Sequence, residues 1–156
     1  MAYAENTTVS AEKSRAEIER TLQRYGADQF MYGWDASKAM VGFRMQGKQI
    51  KFLLEMPDVQ DRKYTHTERG KRRIDSAIFK EWEKACRSRW RAMSLVIKAK
   101  LEAVDAGISL FENEFMASIV LPNGTTVGEF MLPQINKAYE SKTMPPMLPL
   151  LMEPTL

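Results

Sequence analysis

Six basic side chains of this 156-residue chain fall on one line if residues 71–106 wind as a single helix: Arg73, Lys80, Lys84, Arg87, Arg91 and Lys98. At about 100° per residue they lie within roughly 60° of one another on the helix circumference. No acid shares the line before Glu102 and Asp105 at its far end, and Glu81 and Glu83 fall on its flanks. A solvated helix face normally mixes both signs, so a long run of one sign is the signal. It suits a polyanion, a nucleic-acid backbone foremost, with DNA expected rather than RNA. The chemistry would be charge neutralisation and not bond cleavage.

Groups for covalent chemistry are sparse. A zinc site needs several Cys or His ligands, and Cys86 and His66 are the chain's one cysteine and one histidine. There is no Walker loop and no dinucleotide glycine pattern. Pro57-Asp58 followed by Asp61-Arg62-Lys63 superficially matches a PD-(D/E)xK nuclease, but both acids fall in one loop. A magnesium nuclease needs carboxylates converging on the metal from separate strands. The expectation is a protein that is not an enzyme and takes neither cofactor nor metal. Scattered acids such as Glu55, Asp58 and Glu68 are the remaining catalytic material.

The length fits one domain with a real core. Apolar residues make up 44% and charged residues 28%, with net charge +3 and a pI near 9.0, so the placement of charge matters more than its total. A single cysteine excludes an internal disulfide and fits a reducing cytoplasm. No run of ~20 apolar residues is present and the first residues lack an apolar signal core, so neither secretion nor a membrane partner is expected.

Positioning the ribbon falls to an α+β domain expected over 10–143, between a loose polar arm at 1–9 and an apolar, proline-rich tail at 144–156. Ser10 caps a first helix that Gly26 stops after Tyr25. Strands follow near 28–34, 39–45 and 48–55. A Gln46-Gly47 turn sets Phe43 opposite Ile50, Val41 opposite Phe52 and Ala39 opposite Leu54. A turn at Ala36-Ser37 sets Trp34, Tyr32 and Phe30 beside Ala39, Val41 and Phe43. Both hairpins therefore bury one face of an antiparallel meander. The opposite face carries Met31, Gly33, Met40, Gly42, Arg44, Gln49, Lys51 and Leu53, half of it apolar where a solvated face should be polar. Met31, Met40, Arg44, Lys51 and Leu53 make it a second candidate contact surface, and the tail or a subunit mate is an alternative cover for it.

Residues 57–70 form a polar connection. In the long helix Ile74, Ile78, Trp82, Ala85, Cys86, Arg89, Met93, Val96, Ile97 and Val104 cluster opposite the basic ribbon, so the ribbon should point away from the open sheet face. Gly107 ends the helix. Ser109 to Glu112 has the spacing of a capping box, as does Thr126 to Glu129. Between them Pro122-Asn123-Gly124 turns a small hairpin, and Pro133 is expected to break or kink the last helix.

Trp82 to Ala92, Val96 to Val104, Ile119 to Val127 and Met144 to Pro149 resemble a family of small proteins encoded by bacteriophages and prophages. The resemblance covers most of the chain from about residue 10 and implies a mobile-element origin and a bacterial cytoplasm, with no mechanism attached. The order of helix, antiparallel strands and long helix also resembles one repeat of the TATA-box-binding protein, whose open sheet face grips DNA. This chain has three strands and a single repeat, and a homodimer would be needed to complete a saddle. The functional expectation is a phage-encoded nucleic-acid-binding accessory protein of DNA metabolism or gene expression. The alternative is a phage protein that inhibits a host enzyme or defence complex by binding a host protein.

Overall fold

A computed structural model describes residues 4, 5 and 7–144. Its architecture is α+β. Helix α1 (Ala11–Arg24) precedes strands β1 (Gln29–Trp34), β2 (Lys38–Met45) and β3 (Lys48–Glu55). Then come α2 (Arg62–Thr65), α3 (Asp75–Asp105), α4 (Phe111–Phe115), a 3₁₀ turn at Met116–Ser118 and α5 (Val127–Ser141). The start and stop of α1 follow from its ends: Ser10 Oγ accepts from the Lys13 N–H at 3.1 Å, and Gly26 takes φ +99°.

The sheet is an antiparallel meander of order β1-β2-β3. Its register is the one that the apolar alternation requires. Phe43 faces Ile50, Val41 faces Phe52 and Ala39 faces Leu54, while Phe30, Tyr32 and Trp34 face Phe43, Val41 and Ala39. Gln46 at φ +50° and Gly47 at φ +75° close the second hairpin with the left-handed pair that matches strand twist. Ile18 and Leu22 of α1, Trp90, Ile97 and Leu101 of α3, and Phe111 and Phe115 of α4 bury this face in one cluster. Coverage thins toward β1, where Tyr32 is 48% and Trp34 73% exposed.

Helix α3 departs from expectation in two ways. It starts at Asp75, because residues 71–74 belong to the preceding loop: Arg72 pairs with His66, and the Arg73 N–H donates to Thr65 O at 2.8 Å. That loop is also more ordered than a plain connection, since α2 forms inside it with the Asp61 carboxylate accepting from the Lys63 N–H. The second departure is rotational. The buried residues of α3 are Ile78, Cys86, Trp90, Ser94, Ile97 and Leu101, whereas Ile74 and Val96 are exposed. At about 100° per residue this turns the buried face roughly 90° from the expected one, toward the basic ribbon. The cause is α1, which packs on α3 in the same direction: Arg15 lies over Trp90, Glu17 pairs with Arg91 and the Tyr25 hydroxyl donates to Glu102.

The C-terminal section holds further differences. Leu110 occupies the N-cap of α4, so the expected Ser109–Glu112 box does not form, and Glu112 instead pairs with Lys48 at 3.1 Å. Both halves of the Thr126–Glu129 box do form, at 3.2 and 3.0 Å. Pro133 lies inside α5 without ending it; the carbonyl it orphans belongs to Glu129, on a helix with no buried residue, where water can reach it. The hairpin at 119–126 forms through Val120 and Thr126, and Ile119 pairs with Ile50 at the free edge of β3. At the other end of the chain Ala4 is buried and accepts from the Thr7 N–H at 3.2 Å, so part of the expected loose arm turns onto the body. Residues 145–156 of the expected tail lie outside the described residues.

Ser14 of α1 is fully buried and its Oγ has no hydrogen-bond partner among the described residues. Ser14→Ala removes an unsatisfied hydroxyl and improves helix propensity, so it should stabilise the fold by about 1 kcal/mol in chemical denaturation. A lower midpoint would show that the hydroxyl is bonded.

Candidate nucleic-acid interface

The structure divides the six ribbon cations into three kinds. Arg73 is not on the helix, and its guanidinium donates to the carbonyls of Lys63 and Tyr64 at 3.1 Å each. It holds the loop against α3 and is removed from the track. Arg91 is on α3 but its guanidinium meets Glu17 Oε2 at 2.7 Å, in a pair whose side chains are 24% and 30% exposed. Its charge is already compensated. Lys80, Lys84, Arg87 and Lys98 make no ion pair among the described residues; Lys80 and Lys98 are exposed, Lys84 and Arg87 partly so. From Lys80 to Lys98 the helix rises about 27 Å at 1.5 Å per residue.

Sequence reasoning missed what α1 adds. Arg20 and Arg24 line a cleft of about 380 Å³ together with Lys98, Glu17 and Thr21. The acid in that cleft is the one already committed to Arg91, so Arg20, Arg24 and Lys98 are three cations around it. The signal was available as an i, i+4 pair on the polar side of α1, but only the packing of α1 on α3 brings it to Lys98. Because Arg15 stands level with Trp90, α1 begins near Cys86, and the first three turns of α3 extend past it. Lys80 and Lys84 lie on that extension.

The second surface is less available to an anion than expected. Arg44 is held by the Asp28 carboxylate in a two-pronged contact, Nε at 2.9 Å and Nη2 at 2.5 Å. Lys51 Nζ donates to Gly124 O at 3.1 Å. What remains is apolar: Met31 is 63% and Leu53 52% exposed. With Met40, Gly42 and Val120 the face forms an open groove of about 450 Å³. A Cβ placed on Gly42 would meet Met31 Cγ at 3.6 Å, an ordinary contact, so this glycine does not mark an enforced close approach.

Of the candidate catalytic groups, Asp58, Asp61 and His66 are engaged locally. Asp58 and Asp61 accept from the backbone N–H groups of Gln60 and Lys63 within their own turns. His66 Nδ1 lies 2.8 Å from Thr65 Oγ1. Burial pushes the Cys86 thiol above its ordinary value, with Glu83 adding to the shift and Arg87 opposing it, the reverse of an activated nucleophile. Among the described residues no group of three or more His, Cys, Asp or Glu side chains converges as a metal site would require. No helix among them is long and apolar enough to cross a membrane.

Comparison with protein-family models, with curated proteins and with solved structures gives no match to this chain. The surface described above therefore carries the functional reading by its own chemistry.

Hydrogen bonds from Arg44 hold the Asp28 carboxyl below its ordinary value, and backbone N–H groups of Ser37 and Lys38 do the same for Asp35. A lowered folded-state value contributes stability above the unfolded value, near pH 4, and that stability is lost as pH falls through the folded value. The melting temperature should therefore drop on acidification below about pH 4. Asp28→Asn should lower it at neutral pH and flatten the acid limb; an unchanged limb would exclude Asp28 as a contributor.

Proposed function

We propose that this chain is a non-enzymatic nucleic-acid-binding protein that grips the phosphate backbone along α3. The observation that carries the reading is the set of four cations with no ion pair among the described residues, Lys80, Lys84, Arg87 and Lys98, on one unbroken helix, extended at Lys98 by Arg20 and Arg24. The grip is charge neutralisation with release of counterions, and phosphate contacts position a nucleic acid without reading its sequence. Duplex DNA is the favoured polyanion, because its major groove admits a helix and the deep, narrow groove of A-form RNA does not. The first turns of α3 run past α1 and carry Lys80 and Lys84, with the α2 loop packed on their other side through Trp82 and Ile78. A role in DNA metabolism or gene expression is part of the same proposal, and the sequence resemblance to phage and prophage proteins favours a bacterial cytoplasm as its setting.

A second reading rests on a different observation. The groove over Met31, Met40, Gly42 and Val120 is mostly apolar, and Lys51 in its lining and Arg44 on the same sheet face are already bonded. That surface suits a host protein, bound so as to inhibit it, better than it suits phosphate. Salt-sensitive retention on heparin supports the first reading; a stable, salt-resistant complex with one host protein supports the second.

Band-shift titrations at two salt concentrations test the track. Lys84→Glu with Arg87→Glu should weaken DNA binding at least tenfold at low salt, leave circular dichroism intact, and bring the slope of log K against log salt closer to zero by about 2. Unchanged affinity would remove α3 as the phosphate track. Glu17→Gln should do the opposite. It frees Arg91, adds about 0.9 to the magnitude of the slope and costs about 1 kcal/mol of fold stability or less. Glu17→Gln with unaltered binding would show that Arg91 does not face the nucleic acid.

A further inference from the structure

The two edges of the sheet are unequal. Residues 49, 51, 53 and 55 of the β3 side turn their backbone groups outward, because Met45 and Lys48 close the hairpin and even-numbered residues of β3 face β2. That edge is blunted at both ends: Val120 N–H donates to Gln49 O at 2.8 Å and Arg89 Nε to Glu55 O at 3.1 Å. It also carries the charged Lys51, one of the devices that discourage edge pairing.

Among the described residues edge β1 has none of these protections. Its sequence Gln-Phe-Met-Tyr-Gly-Trp contains no charge and no proline. The first hairpin closes with the Asp35 N–H donating to Lys38 O at 2.8 Å. By the alternation of an antiparallel ladder, Gln29, Met31 and Gly33 bond to β2, and Phe30, Tyr32 and Trp34 present their N–H and C=O groups to the open edge. A bare, aromatic, uncharged edge is a template for another strand.

We infer that β1 pairs antiparallel with β1 of a second copy, joining two three-stranded sheets into one of six strands. The register follows from parity. Only even-numbered residues carry outward groups, so an even residue must face an even residue. Centring the two-fold axis on Tyr32 places Tyr32 against its mate and Phe30 against Trp34 of the second copy, and uses every outward group of the strand. Aromatic cross-strand pairs of this kind add to the ladder itself. The same register sets Asp28 against Ala36 and Asp35 against Gln29, so no like charges meet along the ladder. An offset of one residue would set Asp28 against Asp35 and leave outward groups facing inward ones.

The area is that of a small interface, with the ladder hydrogen bonds added to it. The exposed parts of Met31, Tyr32 and Trp34 amount to roughly 400 Å² per copy, about half of the ~800 Å² that each partner gives to a standard interface. The outward backbone groups of the edge add to it, while Arg15 beside Tyr32, its side chain 18% exposed, adds little. The contact uses the same patch on both copies, so it closes at two.

Sedimentation and light scattering on the full chain, with amide exchange read residue by residue, test this without any nucleic acid. The wild type should run at twice the 17.9 kDa chain mass, with the amides of Phe30, Tyr32 and Trp34 as protected as those of Met31 and Gly33. Trp34→Lys, at a site 73% exposed and outside the core, should keep the circular dichroism spectrum, halve the mass and expose those three amides. A wild-type monomer overturns the inference, including one whose edge amides are protected by its own chain. So does a dimer that survives Trp34→Lys, since the copies then meet elsewhere.

Discussion

The ion pair between Glu17 and Arg91, and the stacking of Arg15 between Tyr32 and Trp90, fix α1 along α3 in one direction and at one rotation. That docking sets which part of α3 is buried. With α1 in place Trp90, Ser94, Ile97 and Leu101 turn inward, Arg91 is compensated, and Lys98 comes beside Arg20 and Arg24. The cations left facing water are therefore a product of helix–helix packing more than of helix periodicity. A partly exposed pair contributes little stability by itself, but it selects one packing among those that a broadly apolar helix permits.

The sheet was legible in the sequence almost to the residue, for a physical reason. A strand period of two leaves no intermediate register, and two hairpins with short turns must agree on a common face. Gln46-Gly47 and Ala36-Ser37 met that condition with apolar pairs throughout. The rotation of α3 was not legible. Apolar side chains spread over roughly 140° of its circumference, from Val96 and Ile78 round to Trp90 and Leu101, a wider arc than the core buries. Periodicity then gives the helix without a unique buried side. Its start was also ambiguous locally, since nothing in Lys71-Arg72-Arg73 forbids helix; the return of Arg72 to His66 and of Arg73 to the carbonyls of α2 withdraws those residues.

The candidate site divides along the same line. Lys80, Lys84, Arg87 and Lys98 were visible because their relation is local, set by one helix. Arg91 was visible as a cation, but its partner Glu17 is 74 positions away. Arg20 and Arg24 needed the same long-range contact to join the set. Likewise Arg44 and Lys51 stood on the expected face, and only the fold brought Asp28 and Gly124 to them. Local pattern locates charges; tertiary structure decides which of them are spent.

The salt dependence of wild-type binding addresses the central claim most directly. Six cations without an ion pair among the described residues, four on α3 and two on α1, predict a slope of log K against log salt near −5 on duplex DNA and near −4 on a single strand. A slope close to zero, or no binding at low salt, would contradict the account, because a phosphate track built from these residues cannot bind without releasing counterions.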